Sequence, residues 1–286
     1  MRIICLLIFI LCTLTARAAD GCDSLKLAGY EERLQEKFSE LMRGTTESEK
    51  LETSEDIKEL FGRALKYPES FAYPFDSLDY AGRAVSSDSL VSVYTWNIPL
   101  GSSNNYYGGL VQHRKDTLAA PDIYFLRHEP YNGEDFENTS LTDSLWYGAL
   151  YYQIVPVDTG DRRLYTVIGL DLNDFYTNRK IIDLLFLEDG EVKFGAPLFE
   201  KKGELQKRVV YEYSSRVVMH LRYHGDINKI VCDHLSPPDE RYRGQYRYYG
   251  PDLSYDGFVF EEGVWKHLTE IDVLIRDKPE EPEKLE

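Results

Sequence analysis

The chain has 286 residues, which is enough for one large domain or for one domain with a small appendage. Its net charge of −16 argues against nucleic acid or an anionic membrane surface as a partner, because both need a basic footprint. The same surplus of acidic residues also serves ordinary solubility.

Residues 1–18 have the three parts of a cleavable signal peptide. Arg2 supplies the positive n-region, Ile3–Leu14 form an apolar run, and Ala16–Ala18 place small residues where a signal peptidase reads them. The run of 12 residues is shorter than the roughly 20 that a spanning helix needs, which argues against an uncleaved anchor. We therefore predict cleavage after Ala18 and export to the periplasm or the extracellular space.

Two cysteines, Cys22 and Cys232, remain after this predicted cleavage. An isolated pair in an oxidising compartment suggests a disulfide. One buried and one exposed thiol are the alternative, because the sequence does not show that the two residues meet in space. A lipid anchor on Cys22 is a further alternative, but Arg17 and Asp20 separate that cysteine from the apolar run.

The mature chain opens with an N-terminal helical segment over residues 22–68. In the first helix, apolar residues recur at the three- and four-residue spacing of one buried face: Leu27, Tyr30, Leu34, Phe38 and Leu41. We expect this helix to end at Gly44 and a second to begin at Thr53 or Ser54 and to end before Pro68. The charged link Thr45–Glu52 is expected to be solvated.

An antiparallel β domain is predicted over residues 70–276, because the hydrophobic period changes to two near Leu90. The expected strands include Val91–Trp96, Tyr106–His113, Ile123–Arg127, Tyr147–Val157 and Leu164–Leu172, and hairpin turns are expected at Asp158–Asp161, Asp189–Gly190, Gly225–Asp226 and Glu262–Gly263. This pattern favours a mainly β fold, as an antiparallel sandwich, an open barrel or a partial propeller. Residues 277–286 are charged and indicate a disordered tail.

Established catalytic fingerprints are missing from the sequence, which has no phosphate loop and no GxSxG, HExxH or CxxC motif. We expect neither a metal nor another cofactor, because His220 and His224 would lie roughly 13 Å apart on a strand. Asp233 and His234, at the end of a predicted strand, are the candidates for a catalytic pair, but no nucleophile accompanies them. The sequence thus leaves enzymatic activity open and favours its absence.

The chain has 22 tyrosines, and three pairs of them form a candidate binding surface: Tyr106 and Tyr107, Tyr151 and Tyr152, Tyr248 and Tyr249. Tyrosine rings stack on sugars and peptides, although tyrosine also packs well in strands. The leading hypothesis is a non-catalytic exported protein, binding or structural, that contacts a glycan, a peptide or another envelope protein through an aromatic-rich β face. The alternative is an extracytoplasmic hydrolase that uses Asp233 and His234.

An ordered series of motifs runs through the β region: Tyr73–Leu78, Tyr94–Pro99, Trp146–Tyr152, Thr177–Asp183, Phe194–Pro197, Arg208–Tyr213, Asp233–Pro237 and Tyr248–Asp256. Over residues 70–272 this series resembles a family of exported Bacteroidota proteins of uncharacterised function. The resemblance implies export and the extent of the β domain. It implies no activity, cofactor or partner, and no later segment of the mature chain is predicted to span a membrane.

Overall fold

The structure is a computed structural model that describes residues 24–101, 104–116, 119–129, 135–160, 162–201 and 203–271. The predicted signal peptide, Cys22 and the predicted tail lie outside these residues, so the predictions for them stay predictions. Strands account for 46% of the structure and helices for 22%, which confirms the mainly β class.

Two helices open the described chain, and the start of the second differs from the prediction. Helix α1 covers residues 24–43, and the backbone N–H of Gly44 closes it on the carbonyl of Glu40, which confirms the predicted end. Helix α2 spans Glu47–Ala64, so the expectation of a solvated link followed by a helix from Thr53 or Ser54 is wrong. Neither helix of the described residues is long and apolar enough to cross a membrane.

A capping box explains the early start of α2. The Thr46 hydroxyl accepts the backbone N–H of Glu49 at 3.2 Å, and the Glu49 carboxylate accepts the backbone N–H of Thr46 at 3.1 Å. These reciprocal hydrogen bonds satisfy two backbone donors that a helix start otherwise leaves without partners. The charged residues that follow therefore form the first turns of a helix.

The strands form three sheets. Sheet I is antiparallel in the order β1 (Gly82–Val85), β2 (Val91–Leu100), β3 (Asn104–His113), β4 (Asp122–Arg127). Sheet II has the order β5-β9-β8-β7-β6, made of β5 (Leu141–Thr142), β6 (Leu150–Asp158), β7 (Arg163–Asp171), β8 (Thr177–Glu188) and β9 (Glu191–Phe194). A further strand, β12 (Val209–Ser214), pairs with the first half of β8.

Sheet III has the order β11-β10-β16-β15-β14-β13. Its strands are β10 (Phe199–Lys201), β11 (Glu204–Gln206), β13 (Leu221–His224), β14 (Lys229–Ser236), β15 (Gly250–Glu261) and β16 (Val264–Leu268). Strands β10 and β16 run parallel, and the other neighbours run antiparallel. Short 3₁₀ helices lie at Pro68–Phe71, Phe136–Asn138, Glu240–Tyr242 and Tyr246–Tyr248.

The predicted hairpins β8–β9 and β15–β16 are both present. In the first, Asp189 and Gly190 have φ angles of 55° and 82°, and in the second Glu262 and Gly263 have 54° and 82°. Two successive residues with positive φ make a type I′ turn, whose twist matches that of the flanking strands. The third hairpin, β13–β14, turns within residues 225–228, as expected.

The sheets stack as layers, with the helices outermost. Helices α1 and α2 cover one face of sheet I through Phe38, Phe61 and Trp96, and the other face of sheet I packs on sheet II. The second face of sheet II packs on sheet III around Ile182, Phe199 and Phe258. Of the predicted alternatives, the described residues match the antiparallel sandwich, in which sheet II is buried on both faces.

Glycines in the strands make room for the large rings of this core. Gly108 lies directly opposite Trp96 in the β2–β3 register, and a Cβ added to it would lie 2.1 Å from the indole. Gly169 on β7 similarly leaves space for the ring of Tyr151, since an added Cβ would lie 2.8 Å from that ring. Glycine at these positions serves close approach of a side chain to the sheet.

Candidate functional site

A groove of about 640 Å³ opens beside β13, the edge strand of sheet III. Sheet II contributes Tyr152 from β6 and Lys180 from β8 to its lining. Sheet III contributes Arg222 from β13, Asp233 from β14 and Tyr255 from β15. The groove therefore forms where sheet II meets the β13 edge of sheet III.

A break in strand register turns Tyr152 towards the groove. The pairing of β6 with β7 shifts between Tyr151 and Gln153, so that Tyr151 is buried while Tyr152 is 37% exposed. Such a bulge changes the direction in which a strand presents its side chains. The hydroxyl of Tyr152 donates a hydrogen bond to the carbonyl of Leu221 at 2.8 Å, which fixes the ring beside β13.

Gln153 joins sheet II to sheet III next to the lining residue Tyr152. Its side-chain amide donates to the carbonyl of Tyr223 at 2.9 Å and accepts the backbone N–H of the same residue at 2.8 Å. The free edge of β13 thus has its hydrogen-bonding groups at Tyr223 satisfied by a side chain. This clamp of two hydrogen bonds joins β6 to β13.

Two cations lie near the hydroxyl of Tyr152. The Lys180 ammonium is 3.3 Å from the Tyr152 hydroxyl oxygen and 4.4 Å from the centre of the ring. Burial raises the pKa of Tyr152, and the positive charge of Arg222 opposes that rise. Burial also lowers the pKa of Lys180. In the described part of the chain, neither Lys180 nor Arg222 forms an ion pair with a carboxylate.

Asp233 and His220 form a polar pair at the mouth of the groove. The Asp233 carboxylate accepts the backbone N–H of His220 at 2.7 Å and lies 3.2 Å from its Nδ1. The His220 side chain is 82% exposed and the Asp233 side chain only 10%, so the carboxylate orients an imidazole that faces solvent. Among the described residues, no three His, Cys, Asp or Glu side chains lie together as metal ligands.

The structure does not bring the predicted catalytic residues Asp233 and His234 together. Neighbouring residues on a strand point to opposite faces of the sheet, so Asp233 pairs with His220 while His234 Nδ1 lies 2.6 Å from Asp256. The partner Asp256 lies on β15, and only the register of β14 with β15 reveals it. In the described part of the chain no hydroxyl or thiol forms a hydrogen bond with His234. The hydrolase hypothesis therefore stays a prediction that lacks a nucleophile.

Cys232 is buried next to Asp233 and forms no disulfide with another described residue. Burial raises its pKa to about 12, so the reactive thiolate is scarce at neutral pH. Its predicted disulfide partner, Cys22, is not among the described residues, and the bridge stays a prediction.

Two of the six tyrosines predicted for the binding surface are instead part of the core. Tyr107 is 1% exposed and Tyr151 is 2% exposed, so the prediction is corrected for both. Tyr107 donates its hydroxyl hydrogen bond to Asp171 at 2.9 Å, and Tyr151 packs on Phe194 between sheets I and II. Side chains alternate in direction along β3 and β6, and this alternation turns both rings towards the core. The sequence shows two adjacent tyrosines in each case but not which of the two faces inward.

The other four tyrosines lie in three places. Tyr106 is half-buried on β3 and donates to the carbonyl of His128, while Tyr152 lines the groove. Tyr248 is 39% exposed, and Tyr249 is partly buried beside it in the segment between β14 and β15. The Tyr249 carbonyl accepts the backbone N–H of Ser214, which ties that segment to β12.

The fold and the groove together define a class: a protein of stacked antiparallel sheets with a ligand-sized groove at a sheet edge. The chain matches no protein-family model and has no significant match among curated proteins or solved structures.

Proposed function

We propose that the mature protein is an exported, non-catalytic binding protein whose ligand lies in the groove beside β13. The groove itself carries the proposal, because its volume of about 640 Å³ is within the range of about 300–1,000 Å³ found for ligand sites. Its lining combines the rings of Tyr152 and Tyr255 with polar groups of His220 and Asp233. The predicted signal peptide supports the extracytoplasmic location.

A saccharide fits this lining better than a peptide does. Peptides that bind at a sheet edge add a strand and need its free backbone groups. At β13 the amide of Gln153 already occupies the N–H and the carbonyl of Tyr223. Sugars instead stack on aromatic rings and exchange hydrogen bonds with polar side chains, and both kinds of group line the groove.

The test is a glycan and peptide array probed with the mature protein. We expect saccharides to bind, and we expect Tyr255→Ala to weaken this binding by about 10-fold, because an aromatic contact of this kind contributes on the order of 1 kcal/mol or more. Tyr80→Ala is the matched control, since Tyr80 is 49% exposed and does not line the groove. An array without bound saccharides, or equal binding by Tyr255→Ala, would contradict the proposal.

A further inference from the structure

The end of the groove at Tyr152 carries two positive side chains, although the chain as a whole is acidic. Lys180 and Arg222 both line it, and in the described residues neither has a carboxylate partner within ion-pair distance. The residue before Lys180 shows the contrast, because Arg179 pairs with the carboxylate of Glu212 at 2.8 Å. Lys180 and Arg222 thus face the groove without an acidic partner among the described residues.

Burial makes Lys180 receptive to a negative charge, whereas Arg222 on β13 is exposed. Lys180 is half-buried, and burial is the one cause that lowers its pKa. A cation removed from water without a counterion is stabilised when an anion enters beside it. The Tyr152 hydroxyl, which donates to the Leu221 carbonyl and lies 3.3 Å from the Lys180 ammonium, holds that cation at the groove wall.

The remaining polar groups of the groove do not neutralise these two charges. Asp233 is the acidic residue in the lining, and its carboxylate is engaged by the backbone and the imidazole of His220. The other titratable residues that line the groove are His224, Cys232 and Tyr255. The groove therefore presents net positive charge at neutral pH within a chain of net charge −16.

We propose that the ligand is an acidic saccharide whose carboxylate lies between Lys180 and Arg222, with its ring against Tyr152 or Tyr255. This inference rests on the proposed binding function and adds the charge of the ligand to it. Two positive groups can share one carboxylate through charge-assisted hydrogen bonds, which are about twice as strong as neutral ones. A neutral saccharide would leave both cations without a counterion.

The test compares uronic-acid and sialic-acid saccharides with their methyl esters, which keep the ring and remove the charge. We expect the mature protein to bind the acids about 10-fold or more tightly than the esters by calorimetry. In the variants Lys180→Met and Arg222→Met, the affinity for the acid should fall close to the affinity for its methyl ester. Lys193→Met is the matched control, because Lys193 also lies in sheet II but pairs with Glu188 at 2.7 Å.

The outcomes separate this inference from the function on which it rests. Equal binding of acids and esters, or an unchanged preference in Lys180→Met, would overturn the acidic ligand and leave the binding function in place. An array without any bound saccharide would overturn both. A second readout is the Lys180 pKa, followed by NMR of ¹³C-methylated lysines, which should rise when the acid is added and stay constant with the ester.

Discussion

The guanidinium of Arg208 lies 2.8 Å from the carboxylate of Asp183, with exposures of 0% and 3% for the two side chains. Arg208 also donates hydrogen bonds to the carbonyls of Phe136 and Thr139. One buried cation thereby joins β8 to the start of β12 and to the segment before β5. The motif residues Asp183 and Arg208 are thus parts of one structural contact.

Removing the cation of this pair should strongly destabilise the fold. We expect Arg208→Met to lower the free energy of unfolding by about 3–5 kcal/mol, because Asp183 would remain buried without a counterion. Urea denaturation measures the effect. Arg63→Met, which breaks an exposed pair with Glu59, should cost about 1 kcal/mol or less. Equal losses in the two variants would contradict the structural role of Arg208.

Gly108 should not tolerate a methyl group. A Cβ there would lie 2.1 Å from the indole of Trp96, so the ring must move out of its place beneath the helices. We expect Gly108→Ala to lower the free energy of unfolding by about 1–3 kcal/mol, the usual cost of overpacking a core. Gly29→Ala in α1 meets no atom within 4 Å and should instead stabilise the protein slightly, which thermal unfolding can check.

His128 should make the protein sensitive to acid. The imidazole is buried beside Tyr106 and Tyr107, and burial lowers its pKa from 6.5 to about 4. The pKa of His128 is lower in the folded than in the unfolded protein. The stability that the neutral imidazole contributes is therefore fully present above pH 6.5 and is lost as the pH falls towards 4. We expect this loss to reach about 3 kcal/mol and to be absent from His128→Asn. Parallel acid profiles of both proteins would contradict this prediction.

His234 should show the opposite pH dependence. Its hydrogen bond to Asp256 raises its pKa above 6.5. The stabilisation from this pair is therefore fully present below pH 6.5 and is lost as the pH rises through the raised pKa. The side chain is 43% exposed, so the effect is small. We expect His234→Gln to be less stable than the parent protein in mildly acidic urea titrations and equal to it in alkaline ones.

Features that depend only on residues close together in the sequence could be predicted from it. The apolar face from Leu27 to Leu41 defines α1, and Gly44 ends it, because helix periodicity and termination are local. The turns at Asp189–Gly190 and Glu262–Gly263 follow from residues that adopt positive φ. The capping box at Thr46 and Glu49 is also local, and its four-residue signature was a signal that the prediction of a solvated link overlooked.

The groove was not predictable because its parts come from five strands in two sheets. Periodicity indicates that β6 and β13 are strands, but it does not reveal that Gln153 and Tyr223 meet. The pairing of His234 with Asp256 likewise depends on the register between β14 and β15, including its shift after Asp233. Register is a tertiary property, and a shift of one residue changes which side chains share a face.

The clamp formed by Gln153 also affects how separate molecules meet. Exposed strand edges pair with one another between molecules and seed fibres. At β13 the backbone groups of Tyr223 are already bonded to Gln153, and the opposite edge of sheet III, β11, is only three residues long. One glutamine side chain thus occupies the backbone groups through which β13 could pair with a strand of a second molecule at Tyr223.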